Sequence, residues 1–131
     1  MSAKGSQQHA IDYIEFQATD LEIAKAFYQS AFGWEFNDYG PEYCGIKNVQ
    51  GEGECGGIAQ SDAVATGGPL VILYSGDLEE SLSSVKAAGG TISLDTISFP
   101  GGRRFQFRDP FGNELGVWSD KDESGNEISG P

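Results

Sequence analysis

The sequence predicts an α+β protein built of two tandem βαβββ modules whose sheets join into a curved, mixed cup. Three observations carry that prediction. Residues 14–36, IEFQATDLEIAKAFYQSAFGWEF, and residues 71–93, VILYSGDLEESLSSVKAAGGTIS, align without a gap at a spacing of 57 positions. Their identical pairs are Asp20/Asp77, Leu21/Leu78, Glu22/Glu79, Ala31/Ala88 and Gly33/Gly90. These fall where strand gives way to helix and helix to strand, which is where a duplicated unit should show itself. Finally, short strand-like runs separated by Gly, Pro and Asn turns follow each helix. The competing reading is that β-α units share this punctuation without duplication.

Each element has a local reason. In residues 11–17, Ile14 and Phe16 alternate with Tyr13, Glu15 and Gln17, a strand with one apolar and one polar face. Thr19 and Glu22 have the spacing of a capping box, with Asp20 in the first turn. Leu21, Ala24, Phe27, Tyr28, Ala31 and Phe32 then form an apolar stripe predicted to face a sheet, and Gly33 is the C-cap. Strands are predicted over 34–39 and 43–47, around a Gly40-Pro41 turn. The stretch 48–56 is Gly-rich but lacks the strand-to-helix setting of a nucleotide loop. A short fourth strand is predicted over 57–61, and residues 62–68 read as a linker.

The second half repeats the order. A strand over 70–75 leads to a helix that begins at Asp77 and stops at Gly89-Gly90. Strands follow over 91–94, 103–108 and 114–119. Between the last two, Asp109-Pro110-Phe111-Gly112-Asn113 reads as a turn, because Asp accepts backbone N–H groups, Pro sets φ and Gly-Asn tolerate positive φ. One domain over 10–119 results, with module 1 at about 10–61 and module 2 at about 69–119. Residues 1–9 and 120–131 are expected to be flexible tails.

Composition narrows the function. A chain of 131 residues can bury about two-thirds of its unfolded surface in one core. A net charge of −12 repels phosphate backbones, so nucleic acid and anionic membranes are not expected partners. The polar N-terminus has no signal-peptide core and no apolar run is long enough to span a bilayer, so a cytoplasmic protein is expected. Cys44 and Cys55 lack a Cys-x-x-Cys spacing and are expected as reduced thiols.

The paired modules, the AFYQSAFGWEF of residues 26–36 and the DPFGN of residues 109–113 resemble the vicinal oxygen chelate superfamily. That group includes glyoxalase I, extradiol dioxygenases, fosfomycin-modifying enzymes and bleomycin-binding resistance proteins. The resemblance covers about residues 10–119 and implies the fold, not one chemistry. In metal-using members a ligand stands on the first and on the last strand of each module. The matching positions here are Tyr13 and Leu70 on first strands, and Gly57 and Gly116 on last strands. Three of these carry no ligating side chain, so no metal and no other cofactor is expected. The resemblance also implies a homodimer.

Period-2 alternation turns Tyr13, Glu15, Gln17, Tyr43, Tyr74, Arg104, Gln106 and Trp118 away from the helices. Aromatic walls with a few polar anchors suit a small, aromatic or amphipathic ligand. Tyr13, Gln17, Tyr43, Tyr74, Arg104, Gln106 and Trp118 are therefore the candidate ligand-binding residues, and Glu15 is the candidate general base. Plainer roles stand beside these: Glu15 at a solvated edge or paired with Arg104, and Trp118 in core or dimer packing. The expected function is metal-independent small-molecule binding. The alternative is a glyoxalase-like lyase or isomerase, or a dioxygenase-type enzyme.

Overall fold

The computed structural model describes residues 3, 5–64 and 68–130, so part of the expected linker and residues 1, 2, 4 and 131 lie outside the described residues. The chain divides into two compact units. One spans Tyr13–Leu70, and the other joins the N-terminal residues up to Asp12 to Val71 and all that follows.

The first unit is one βαβββ module: β1 (Ile11–Ala18), α1 (Leu21–Phe32), β2 (Phe36–Asp38), β3 (Tyr43–Lys47) and β4 (Glu54–Gln60). Its strand order is β2-β3-β4-β1, with β1 parallel to β4 and the other pairs antiparallel. The second unit repeats the plan with β5 (Leu70–Tyr74), α2 (Leu78–Ala87), β6 (Thr91–Phe99), β7 (Gly102–Arg108) and β8 (Glu114–Ser119). Its order is β6-β7-β8-β5, again with one parallel pair, β5 with β8. The expected α+β class and both modules are present.

The repeated aspartates explain why the two helices start where they do. Asp20 and Asp77 are both N-caps in extended backbone, at φ −143° and −142°, and their carboxylates accept from Ile23 and Glu80 N–H. Asp20, rather than the Thr19 of the expected capping box, does the capping. At the other end the repeat slips. Gly33 ends α1 at φ 72°, but after α2 the positive φ of 103° falls on Gly89, one position before the aligned Gly90. A Cβ at Gly90 would press on Val85 Cγ1 at 2.6 Å, so that glycine is needed for space instead.

Each helix covers one sheet face. Under α1, Leu21, Cys44, Ile46 and Ile58 form a core joined by Phe16, Ala24, Tyr28 and Trp34. Under α2, Leu78, Phe105 and Val117 are joined by Leu82, Val85 and Phe107. The stripe predicted for α1 is too wide. Leu21, Ala24 and Tyr28 face the sheet, whereas Phe27 and Phe32 are exposed. At 100° per residue Phe27 lies on the flank of the helix, and Phe32 comes at its last residue.

Two strands are longer than predicted. β4 begins at Glu54, inside the Gly-rich run, and β6 continues to Phe99. The C-terminal tail, expected to be flexible, carries hydrogen bonds of its own. Asp122 accepts from Ser124 and Asn126 N–H, Lys121 bridges Glu127, and Ser129 O accepts from Gly101 N. The turn at residues 122–126 repeats that at 109–113, where Asp109 accepts from Phe111 and Asn113 N–H. Both place a positive-φ glycine at the fourth position, Gly112 and Gly125. Residues 6–10 are also held: His9 N donates to Tyr74 O, and Gly76 N donates to the Gln8 side chain.

Candidate functional site

The polar chemistry of module 1 gathers on the sheet face opposite α1. Alternation along β1 and β3 sends Tyr13, Glu15 and Tyr43 to this face and Phe16, Cys44 and Ile46 to the helix side. Tyr13 and Tyr43 hydroxyls lie 2.6 Å apart, and Tyr43 donates to Glu15 Oε1 at 3.0 Å. A phenol has one proton to give. Tyr43 gives its own to Glu15, so it receives from Tyr13, and the chain runs in one direction from Tyr13 through Tyr43 to the carboxylate.

A second group lies on β2, β3 and β4. Tyr39 donates to Glu54 Oε2 at 2.6 Å, and Asn37 Nδ2 donates to the same oxygen at 2.9 Å. Two glycines make room for both groups. Gly45 and Gly57 are directly opposed in the β3–β4 ladder, and Gly57 also pairs with Glu15 of β1. A Cβ at Gly45 would fall on the Glu54 carboxylate, and one at Gly57 on the Tyr13 and Tyr43 hydroxyls. Glycine weakens a strand, and here the missing side chains are the seats of three functional groups.

Burial sets the state of the phenols. Desolvation raises Tyr43 well above the ordinary tyrosine value, reinforced by the Glu15 carboxylate beside it. Tyr13, 2% exposed, is likewise raised chiefly by burial, against the partial relief of its bond to Tyr43. Tyr39 is pushed up to about 12 by desolvation of its hydroxyl and then by its bond to Glu54. All three are neutral donors at physiological pH.

The module 2 candidates are arranged differently. Trp118, expected as a ligand wall, is 1% exposed, and its indole N–H donates to Asp12 Oδ2 at 2.8 Å. Tyr74 meets it edge-on at 5.5 Å and donates to Asp120 Oδ1 at 2.5 Å; burial, and after it that bond, raises the Tyr74 phenol. Gln106 donates to Glu114 Oε2 at 3.2 Å. Arg104 is half-buried in register with Trp118 on β7–β8, and Gln17 is exposed on β1. The neighbouring Arg103 turns to the other side and grips Glu79 of α2 with both terminal nitrogens, at 2.6 and 3.1 Å.

The structure thus gathers Tyr13, Glu15 and Tyr43 into one connected group. It adds Asn37, Tyr39 and Glu54, which sequence reasoning missed. Alternation along β2 could have supplied Asn37. Glu54 was hidden in a stretch read as loop.

A family model for the Glyoxalase/Bleomycin resistance protein/Dioxygenase superfamily matches residues 10–117, and the chain belongs to that superfamily. Solved structures agree on the fold. The Mn(II)-bound glyoxalase from Novosphingobium aromaticivorans is 20% identical with a TM-score of 0.64; the match covers 95% of this chain and 42% of that one. A methylmalonyl-CoA epimerase from Streptomyces coelicolor, solved with 2-nitronate-propionyl-CoA, is 13% identical over 86% of this chain and 98% of that chain, TM-score 0.64. A protein described as an NAD-dependent benzaldehyde dehydrogenase from Legionella pneumophila is 12% identical over 82% and 96%, TM-score 0.65. No curated protein sequence matches significantly.

Superfamily membership raises the question of a metal at the positions that the resemblance implies. The register places Gly57 opposite Glu15 and Gly116 opposite Ile72, and Glu15 and Ile72 are themselves repeat mates. Gly57 and Gly116 are therefore equivalent positions. With Tyr13 and Leu70 they offer one buried, protonated phenol and no carboxylate, imidazole or thiolate. Among the described residues no group of three or more His, Cys, Asp or Glu stands together to hold an ion. These residues do not fit a catalytic divalent metal. Among the described residues, also, no helix is long and apolar enough to cross a membrane.

Proposed function

We propose that this chain binds a small aromatic or amphipathic molecule without a metal ion, on the module 1 face that carries Tyr13, Glu15, Tyr39, Tyr43 and Glu54. One observation carries the reading: two opposed glycines seat a connected set of neutral phenols and carboxylates on a sheet face that no helix of the module covers. Aromatic surface with sparse, oriented polar groups is what holds a small ligand. Tyr39, with 41% of its surface exposed, offers a ring edge to a ligand, and the half-buried Glu15 offers an acceptor. The pairing of two copies that the resemblance implies belongs to the same reading and is measured by sedimentation.

The test is calorimetric titration of a panel of small aromatic compounds, with metal analysis of the purified protein. A binder should lose at least about tenfold in affinity with Tyr43→Phe, because one substitution cuts both bonds of that hydroxyl. Unchanged affinity in Tyr43→Phe, or one equivalent of tightly held metal, overturns the reading. The one-way order Tyr13 to Tyr43 to Glu15 favours a second reading, a lyase or isomerase that moves a proton along that path. Exchange of substrate hydrogen with deuterated solvent, lost in Glu15→Gln, would distinguish it from simple binding.

A further inference from the structure

A tyrosine hydroxyl has one proton to give, a carboxylate has none, and a primary amide both gives and receives. On the module 1 face the phenol protons are spent inside the protein. Tyr43 donates to Glu15 Oε1 at 3.0 Å, so the 2.6 Å contact between the two phenols is a bond from Tyr13 to Tyr43. Tyr39 donates to Glu54 Oε2 at 2.6 Å. Asn37 turns Nδ2 to the same oxygen at 2.9 Å, because a carboxylate can only receive.

The remaining capacity of these groups is one-sided. The oxygens of Tyr39, Tyr43 and Glu15 can receive a further hydrogen bond without any existing bond breaking. Tyr39 is 41% exposed, and Tyr43 and Glu15 are half-buried. An acceptor-only ligand would have to take its proton from Tyr43 or Tyr39. That would strip a charge-assisted bond from Glu15 or Glu54. The bare backbone of Gly57 fixes the order further, since the Tyr13 and Tyr43 hydroxyls lie where its Cβ would be. The amides of Asn37 and Gln17 serve either kind of ligand and discriminate little. The rings of Tyr39 and Tyr43, 6.4 Å apart, supply the aromatic surface.

We infer, resting on the small-molecule reading of this face, that it selects aromatic molecules carrying an N–H or O–H over those that only accept, such as ketones, ethers and carboxylates. The donor of the ligand meets Tyr39, Tyr43 or Glu15 and leaves the internal chain whole. Carboxylate ligands are opposed further by the net charge of −12. A site whose polar groups are set to receive rejects a ligand of the same shape that has nothing to give.

Neutral bicyclic probes of one size test this without a change of charge. Indole carries an N–H, 1-indanone a carbonyl and benzofuran an ether oxygen. In NMR titrations of the full chain, indole should bind at least about tenfold more tightly than either of the others. Glu15→Gln keeps an oxygen for Tyr43 and adds N–H donors. It should narrow the preference for indole over 1-indanone to less than about threefold. Equal binding of 1-indanone and indole, both weakened by Tyr43→Phe, overturns the donor rule and leaves the module 1 site standing. An indole preference that Glu15→Gln does not change also overturns it, because the selection would then come from other groups. No saturable binding by any of the probes removes the small-molecule reading and the donor rule together.

Discussion

The two modules share a helix side and differ on the other face. Position by position, the helix sides correspond: Asp20 and Asp77 cap, Leu21 and Leu78 are buried, and Cys44 and Phe105 pair with Ile58 and Val117. On the opposite face the same register places Tyr13, Glu15 and Tyr43 in module 1 where module 2 has Leu70, Ile72 and Arg104. Ala59 of module 1 stands where module 2 has Trp118. Packing a helix on a sheet leaves little freedom, so the duplicated pattern survives there. The face without a helix is free to differ, and the hydrogen-bonded phenols and carboxylates of module 1 lie on it.

The sharpest break in this comparison is Trp118→Ala. It would give both modules a small residue at that register, and removing a fully buried indole should cost about 3–5 kcal/mol in urea unfolding. A loss below about 1 kcal/mol would return Trp118 to the ligand wall that the sequence suggests. Next come the equivalent glycines. Gly57→Ala drives a methyl group into two phenol oxygens and should cost about 1–3 kcal/mol. Gly116→Ala meets Ile72 Cγ1 at an ordinary 3.4 Å and should change stability by less than about 0.5 kcal/mol. Equal effects would mean that the module 1 seat is not built for its phenols.

Smaller still is the difference between the repeat mates Glu79 and Glu22. Glu79 holds the buried Arg103, whereas Glu22 is an exposed partner of Lys25 on its own helix. Because the Glu79 side chain is about half exposed, Glu79→Gln should cost only about 1 kcal/mol, and Glu22→Gln less than about 0.5. The bond to Arg103 holds Glu79 below the ordinary carboxyl value. Its contribution is therefore complete above that ordinary value and is lost as pH falls through the lowered one. Glu79→Gln should flatten that acid limb of the stability profile, while Glu22→Gln leaves it in place.

The smallest effect is spectroscopic. Tyr39, raised from 10.0 to about 12, favours folding below the ordinary tyrosine value, and that contribution is lost as pH rises through about 12. The phenolate absorbance of the folded protein should show a step near there, missing in Tyr39→Phe. A Tyr39 step at the ordinary value would mean that its bond to Glu54 does not persist in solution.

Part of the module 1 face was legible in the sequence. Strict alternation along β1 and β3 identified Tyr13, Glu15 and Tyr43 as neighbours on one side. Glu54 was not legible, because the run QGEGECGG has the composition of a loop and glycine argues against a strand. The run enters the sheet as β4, where a Cβ at Gly56 would fall on Ile14 O of β1 and one at Gly57 on the Tyr13 and Tyr43 hydroxyls. Tyr39 follows the end of β2, where alternation no longer applies. The turn at residues 122–126 lay in a stretch expected to be a flexible tail, although DESGN there repeats the Asp-x-x-Gly-Asn of DPFGN.

By itself the sequence determined the two βαβββ modules, where their helices begin and the helix-facing side of β1, β3, β5, β7 and β8. These follow from local backbone chemistry and from periodicity, which act within a few residues. The resemblance read from the sequence implies Tyr13, Gly57, Leu70 and Gly116 at the positions where metal-using relatives carry ligands. Only the tertiary structure decided that Tyr13 gives its proton toward Tyr43 and Glu15, that Glu54 sits over Gly45, and that Trp118 is buried against Asp12. Those are contacts between strands brought together by pairing register, and register depends on close approach between residues distant in the chain.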